Sequence, residues 1–422
     1  MSQSKKCIIV ILVLFFALSA VQAQAIAGIG ELHIRQGLPN FAAKIKQGKK
    51  LKVAYFGGSI TQQDGWRVYS MQWLQKRYPK ASFEEVNAAI GGTGSEFGAF
   101  RLQDHVLQFK PDLMFVEFAV NDYGGDSLAT ICGMEGIVRH AWKDNPSMDI
   151  CFIYTLQEEM RVQETSGTLP ASAAAMEKVA DRYAIPSINF GVEICKRVQS
   201  KTLVMTNPDS TIFHGTTVFS RDGVHPYEET GHRIYQQVFA RSFRAITAGV
   251  KAGPAAHTMG SPLQAGNYSL AAMIDVEKVN LSANWSILPI DPNGPYESFR
   301  KFLPRLATAE RTGETISLRF KGTRIGVYDV MGPATGRVIV EVDGVVKDTM
   351  YRFDAYCTWS RMNTFVISLP DAIHNVVFRV LAEPFDKAAI LKKRGGVIEN
   401  PVDYEHNNWY VGKILIDGEL LN

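Results

Sequence analysis

From Leu51 to about Gly249, short apolar runs alternate with longer stretches whose apolar residues recur at helical spacing. The runs Leu51–Phe56, Ser82–Asn87, Asp112–Phe118, Asp149–Tyr154 and Pro186–Asn189 predict strands. Between them Trp66–Tyr78, Phe97–Phe109, Asp126–Lys143 and Pro170–Tyr183 predict helices, and Tyr227–Ala248 a last one. Strands that alternate with helices pair in parallel and carry helices on both faces of the sheet. The expected class is therefore α/β, a three-layer α/β/α sandwich. Ligands in such sheets bind beyond the carboxyl ends of strands. Ser59, Gly92 and Asn121 each follow an expected strand closely. Residues 24–50 carry little signal and read as a helix or an extended lead-in.

The texture changes across Lys251–Gly266, where Gly253-Pro254, Gly260, Pro262 and Gly266 predict a linker. Beyond it, Thr315–Phe320, Arg324–Val330, Arg337–Val342, Asn363–Leu369 and Asn375–Leu381 predict strands, with no long amphipathic helix among them. Asp343-Gly344 marks a hairpin, and Asp417-Gly418 a weaker one. This half reads as an all-β, jelly-roll-like sandwich. The expected organisation is a signal peptide over residues 1–23, a catalytic domain over 24–250, a linker over 251–266 and a β-sandwich over 267–422.

A chain of 422 residues exceeds the usual ceiling for one core, which agrees with two domains. Lys5 and Lys6 precede the apolar stretch Cys7–Ala20, and Val21-Gln22-Ala23 offers small residues for cleavage. That pattern predicts export, to the periplasm or the medium. The apolar stretch is short for a membrane span, and no later one approaches ~20 residues. Cleavage removes two lysines and no acid, so the formal charge falls from +3 to +1. Nothing in that balance calls for nucleic acid or anionic lipid. Cys132, Cys151, Cys195 and Cys357 would remain, without metal-like spacing; they read as buried thiols, and no pairing follows from their positions.

Phe56-Gly57-Gly58-Ser59-Ile60-Thr61 sets a hydroxyl between a glycine turn and a helix start. Taken alone, a serine in this setting reads as an N-cap more often than as a nucleophile. Downstream, Asp222-Gly223-Val224-His225-Pro226 supplies a carboxylate and an imidazole three residues apart. Together they allow the hydroxyl to attack, the imidazole to take its proton and the carboxylate to orient the ring. Asn87-Ala88-Ala89-Ile90-Gly91-Gly92-Thr93-Gly94 provides a loop whose backbone N–H can approach a developing oxyanion. Val116-Glu117-Phe118-Ala119-Val120-Asn121-Asp122 offers a side-chain amide as a second donor, or an Asx-turn.

These four blocks, in this order, resemble the SGNH (GDSL-like) hydrolases over roughly residues 50–250. The resemblance implies Ser59 as nucleophile, Ser59, Gly92 and Asn121 as oxyanion donors, His225 as base and Asp222 as its partner, with no cofactor and no metal. Two departures stand out: Gly58 where many members have Asp, and Ala119 where Gly is usual before Asn-Asp. The Gly-Gly-Ser-Ile-Thr form looks like a recognised subgroup.

With export and a β-rich appendage, the resemblance implies a secreted carbohydrate esterase acting on an acylated, most plausibly acetylated, glycan. An envelope O-acetyltransferase, a lipase-type esterase and a non-catalytic glycan-binding protein are the alternatives. His105, His140, His214 and His232 lack ligand spacing and read as surface or core histidines. Glu158 and Glu159 read as a solvated loop. Glu117, in a strand expected to be buried, requires a partner; it either supports the Asn121 turn or lines the site. Trp285, Tyr351, Tyr356, Trp359, Trp409 and Tyr410 could stack on sugars, although aromatics in a β-sandwich mostly build its core. The glycan, the ester position and the oligomeric state are not encoded in any motif.

Overall fold

The computed structural model describes residues 29–250 and 253–421. The signal peptide expected at residues 1–23 lies outside the described residues. Two compact units emerge, one of residues 29–102, 106–250 and 253–267, the other of 103–105 and 268–421.

The first unit is built on a six-stranded sheet. Its strands are β1 (Leu32–His33), β2 (Lys50–Gly57), β3 (Ser82–Asn87), β4 (Leu113–Glu117), β5 (Asp149–Tyr154) and β6 (Ser187–Asn189), in the order β1-β6-β5-β4-β2-β3. The last five are mutually parallel, and β1 joins β6 antiparallel. Consecutive strand residues face opposite ways, and Tyr55 and Phe56 show what lies on each side. Tyr55 meets Trp66 at 5.4 Å between ring centroids, on the face covered by the helices Trp66–Arg77 and Gly231–Ala248. Phe56 meets Phe118 at 5.3 Å and the Arg101 guanidinium at 4.3 Å, on the face of the helix Ser95–His105. Covered on both sides, β4 and β5 are buried along their whole length, which is why they read as unbroken apolar runs.

Chain order reverses between β2 and β4: β2 is followed by β3 on one side, whereas β4, β5 and β6 build outward on the other. Such a switch point opens a crevice beyond the carboxyl ends of the two strands. Ser59 follows β2 and Asn121 follows β4, so both lie at its rim.

Other elements fill in or differ from the expected pattern. Residues 24–50 hold, where described, both a helix (Pro39–Lys46) and the two-residue strand β1. Glu158 and Glu159 do not lie in a loop; they open the helix Glu158–Thr165, where acids are favoured by the unpaired N–H groups of a first turn. A three-stranded sheet, β7 (Leu203–Thr206), β8 (Ile212–Phe213) and β9 (Thr216–Ser220), precedes the Asp222–His225 loop. Residues 253–267 run along the first unit: the His257 ring stacks on Trp142 at 4.4 Å, its Nε2 lies 2.8 Å from Asp149, and Glu135 accepts from the N–H groups of Leu263 and Gln264.

The second unit is one curled antiparallel sheet of nine strands: β10 (Ala271–Asp275), β11 (Asn280–Leu281), β12 (Trp285–Pro289), β13 (Arg305–Ala309), β14 (Thr315–Met331), β15 (Arg337–Val342), β16 (Val345–Tyr351), β17 (Arg361–Val380) and β18 (Trp409–Leu421). The expected pairs of strands at 315–330 and 363–381 are each one long strand. Their ladder breaks where Gly322 pairs with Ala372 and Arg324 with Ser368, leaving Pro370 in the bulge, where no N–H is required. The bulge shifts the buried residues from Ile316, Leu318 and Phe320 to Ile325 and Val327, so both halves of β14 feed one core. Asp343-Gly344 turns β15 into β16 with φ of +54° and +79°, a two-residue hairpin. Asp417-Gly418 makes no hairpin; it lies inside β18, paired with Arg324 and Gly322 of β14.

Trp409 is fully buried with Trp285 against it at 5.6 Å, while Tyr351, Tyr356 and Trp359 are exposed. The four cysteines Cys132, Cys151, Cys195 and Cys357 are buried, and no disulfide joins them among the described residues. Among the described residues no helix is long and apolar enough to cross a membrane.

Candidate active site

Ser59 begins a four-residue helix, Ser59–Gln62, directly after β2. Its Oγ lies 2.8 Å from His225 Nε2, 166 positions away. His225 Nδ1 in turn lies 2.7 Å from Asp222 Oδ2. Burial pushes the Asp222 carboxyl up, but the His225 ring and the N–H groups of His225 and Val224 outweigh it and hold the carboxyl below its usual range. An ionised carboxylate only accepts, so Nδ1 carries the ring proton and Nε2 is left to accept from the Ser59 hydroxyl. The three side chains thus form one directed relay.

The loop that carries base and carboxylate is folded by the carboxylate itself. Asp222 Oδ1 accepts from the N–H groups of Val224 at 2.9 Å and His225 at 2.7 Å. Gly223, between Asp222 and Val224, adopts φ +82°, a left-handed conformation open to glycine, and its carbonyl accepts from Glu158 N–H at 2.8 Å. Ser220, at the end of β9, anchors the loop from below by accepting from Gly223 N–H at 2.9 Å.

The proposed oxyanion donors gather around Ser59. A β-carbon built on Gly91 would lie 3.4 Å from Ser59 Cβ, so the loop after β3 abuts the hydroxyl-bearing turn. Gly91 N–H is taken by Gln62 Oε1 at 2.8 Å, whereas Gly92, φ +72°, faces open space. Asn121 lies over Gly58: a β-carbon on that glycine would stand 1.8 Å from Asn121 Oδ1 and 3.0 Å from Nδ2. Asp122, the next residue, ties the two loops together by accepting from Ser95 N–H at 3.0 Å. Burial pushes its carboxyl up to about 6. Arg101 reaches the same loops from beneath, donating to Gly57 O at 3.1 Å, to Ala88 O and to Thr93 Oγ1 at 3.3 Å. Ser59, His225 and Asp222 are thus joined in one chain of contacts, with Asn121 against Gly58 and the turn of Gly91 and Gly92 beside Ser59.

Residues that sequence reasoning left open also find their places. Glu117, the last residue of β4, is buried beneath the Ser59 turn and accepts from Thr61 at 2.8 Å and Thr155 at 2.6 Å. His232 is a core histidine: Trp66 N–H donates to its Nδ1 at 3.1 Å, and its Nε2 lies 3.3 Å from Gln63 Oε1. Glu158 is paired with Arg161 at 2.7 Å, on the helix that holds Gly223.

Residues 55–245 match the GDSL-like Lipase/Acylhydrolase family. No curated protein is significantly similar to the chain by sequence. Among solved structures, a two-domain esterase active on acetylated mannans aligns over 92% of this chain and 97% of its own, at 19% identity and a TM-score of 0.67. The same kind of enzyme co-crystallised with mannopentaose aligns over 93% of this chain and 100% of its own, at 18% identity and a TM-score of 0.66. The likeness thus extends through both units and is one of fold.

Proposed function

We propose that this protein, whose residues 55–245 match the GDSL-like Lipase/Acylhydrolase family, is an exported serine esterase that removes acetyl groups from a polysaccharide or oligosaccharide. The observation that carries the chemistry is the relay Ser59–His225–Asp222, with contacts of 2.8 Å and 2.7 Å at the switch point of the sheet.

In the reaction, Ser59 Oγ attacks the ester carbonyl as His225 Nε2 takes its proton. The oxyanion is received by the backbone N–H groups of Ser59 and Gly92 and the Asn121 amide, a type of donor worth about 3 kcal/mol each in other hydrolases. Collapse breaks the bond to the sugar oxygen, which leaves with the proton from His225. Water, deprotonated by His225, then attacks the acyl-enzyme and releases acetate and free Ser59. Asp222 stays ionised throughout and keeps the ring aligned.

The glycan assignment is supported by the two-domain mannan esterases, whose likeness covers the β-rich unit as well as the catalytic one. Export is supported by Lys5, Lys6 and the apolar stretch Cys7–Ala20. The test is acetate release from acetylated mannan, and hydrolysis of a short-chain nitrophenyl ester, by wild type and Ser59→Ala. A fall of about a thousandfold or more in the variant is expected for loss of a triad member. Equal rates would remove Ser59 as nucleophile, and ester hydrolysis without acetate release from any glycan would remove the substrate class.

A further inference from the structure

The mechanism above makes no use of Glu117, yet this acid is buried directly beneath the turn that carries the nucleophile. It is 1% exposed and ends β4, where its backbone pairs with Gly57. Its side chain reaches across to the turn that carries the nucleophile. Oε2 accepts from Thr61 Oγ1 at 2.8 Å, and the Gly58 N–H also points at the carboxylate. Gly58 and Thr61 bracket Ser59. Oε1 accepts from Thr155 Oγ1 at 2.6 Å, at the end of β5. Thr61 Oγ1 is itself fixed by the indole N–H of Trp66 at 3.2 Å. Thr61, Thr155 and Trp66 are all fully buried.

A buried acid without a cation is a poor way to stabilise a fold. Burial pushes the Glu117 carboxyl up to about 7 against the hydrogen bonds from Thr155, Thr61 and Gly58, and its charged neighbour Asp122 has the same sign. What the arrangement does deliver is a rigid turn. Three donors converge on one planar group, and two of them flank the attacking residue.

We propose that Glu117 is a positioning residue of the esterase: by holding Gly58 and Thr61 from below, it fixes Ser59 in line with His225. The inference rests on the serine-esterase reading. A displaced nucleophile loses rate even when substrate binding is intact, and a shift of about 1 Å can cost on the order of a hundredfold. Glu117→Gln and Thr61→Val should therefore lower kcat for a short-chain nitrophenyl ester by about ten- to a hundredfold with KM within about twofold. Thr61→Ser, which restores the hydroxyl, should recover most of that loss. Labelling of Ser59 by a fluorophosphonate should slow in parallel with kcat.

If Glu117→Gln and Thr61→Val keep kcat and labelling rate within about twofold of a wild type that Ser59→Ala inactivates, the esterase stands and the positioning role falls. If Thr61→Ser is as impaired as Thr61→Val, the hydroxyl contact is not the cause and the proposal is likewise overturned. A wild type that neither hydrolyses the ester nor takes the label removes the esterase reading itself.

Discussion

The Asn121 side chain rests directly on the α-carbon of Gly58, so closely that a β-carbon there would stand 1.8 Å from Asn121 Oδ1. The residue before the nucleophile and the proposed side-chain donor to the oxyanion therefore share one space. Gly58→Ala should displace Asn121, the terminal and more yielding partner, and leave the fold in place. Steady-state kinetics should show kcat reduced by about ten- to a thousandfold, the range for loss of one oxyanion donor, with little change in melting temperature. An unchanged kcat would mean that Asn121 does not serve the transition state.

Asp222 accepts three N–H groups: those of Val224 and His225 in the backbone, and that of the His225 ring. Asp222→Asn can keep the first two with its carbonyl oxygen but sets an NH2 group against the ring. The loop should stay folded while the imidazole takes the wrong tautomer. A loss of about a hundred- to ten-thousandfold in kcat is expected. A circular dichroism spectrum and melting curve like those of wild type would separate this from unfolding.

His232 is buried and neutral, pushed down to about 3 mainly by burial, with the Arg67 guanidinium acting in the same direction. In the unfolded chain it would titrate near 6.5, so between pH 3 and 6.5 the unfolded state binds more protons than the native state. Stability is therefore lost as pH falls through that window, by about 2 kcal/mol at pH 5 from this group. His232→Gln removes the proton linkage. Denaturant titrations at pH 7.5 and pH 5 should show wild type losing about 2 kcal/mol more than the variant.

Glu164 behaves in the opposite sense. Burial pushes its carboxyl up to about 7 although Asn189 and Cys195 contact it. The native state then binds more protons than the unfolded state between about pH 4.5 and 7, and stability falls as pH rises through that range. Glu164→Gln keeps an acceptor for Asn189 Nδ2 and abolishes the titration. Its stability relative to wild type should rise by about 2–3 kcal/mol between pH 5 and pH 8.

The catalytic unit was legible where chemistry and pattern coincide. Long apolar runs such as Asp149–Tyr154 mark central strands because both faces are covered, and residue type alone singles out Ser59 and His225. Short strands were not legible: Leu32–His33 and Ile212–Phe213 span two residues each, a single period of alternation with no repeat to recognise. The long strands β14 and β17 were split in the reading because Gly322 and Pro370 are turn residues that here sit in a bulge. Glu117 stood out as an acid in a buried strand, but its partners Thr61 and Thr155 lie 56 and 38 positions away. Nothing local in the chain announces such a meeting.

The relay is anchored unequally. Ser59 directly follows β2, an interior strand of the main sheet, whereas Asp222 and His225 ride on a four-residue loop that Asp222 itself holds together. Base and orienter consequently travel as one cassette, whatever moves the loop. The 2.8 Å contact between Ser59 and His225 is the joint between a strand-borne part and a loop-borne one. Sequence change around β7, β8 and β9 can thus retune how the base meets the nucleophile without disturbing the strand that presents it.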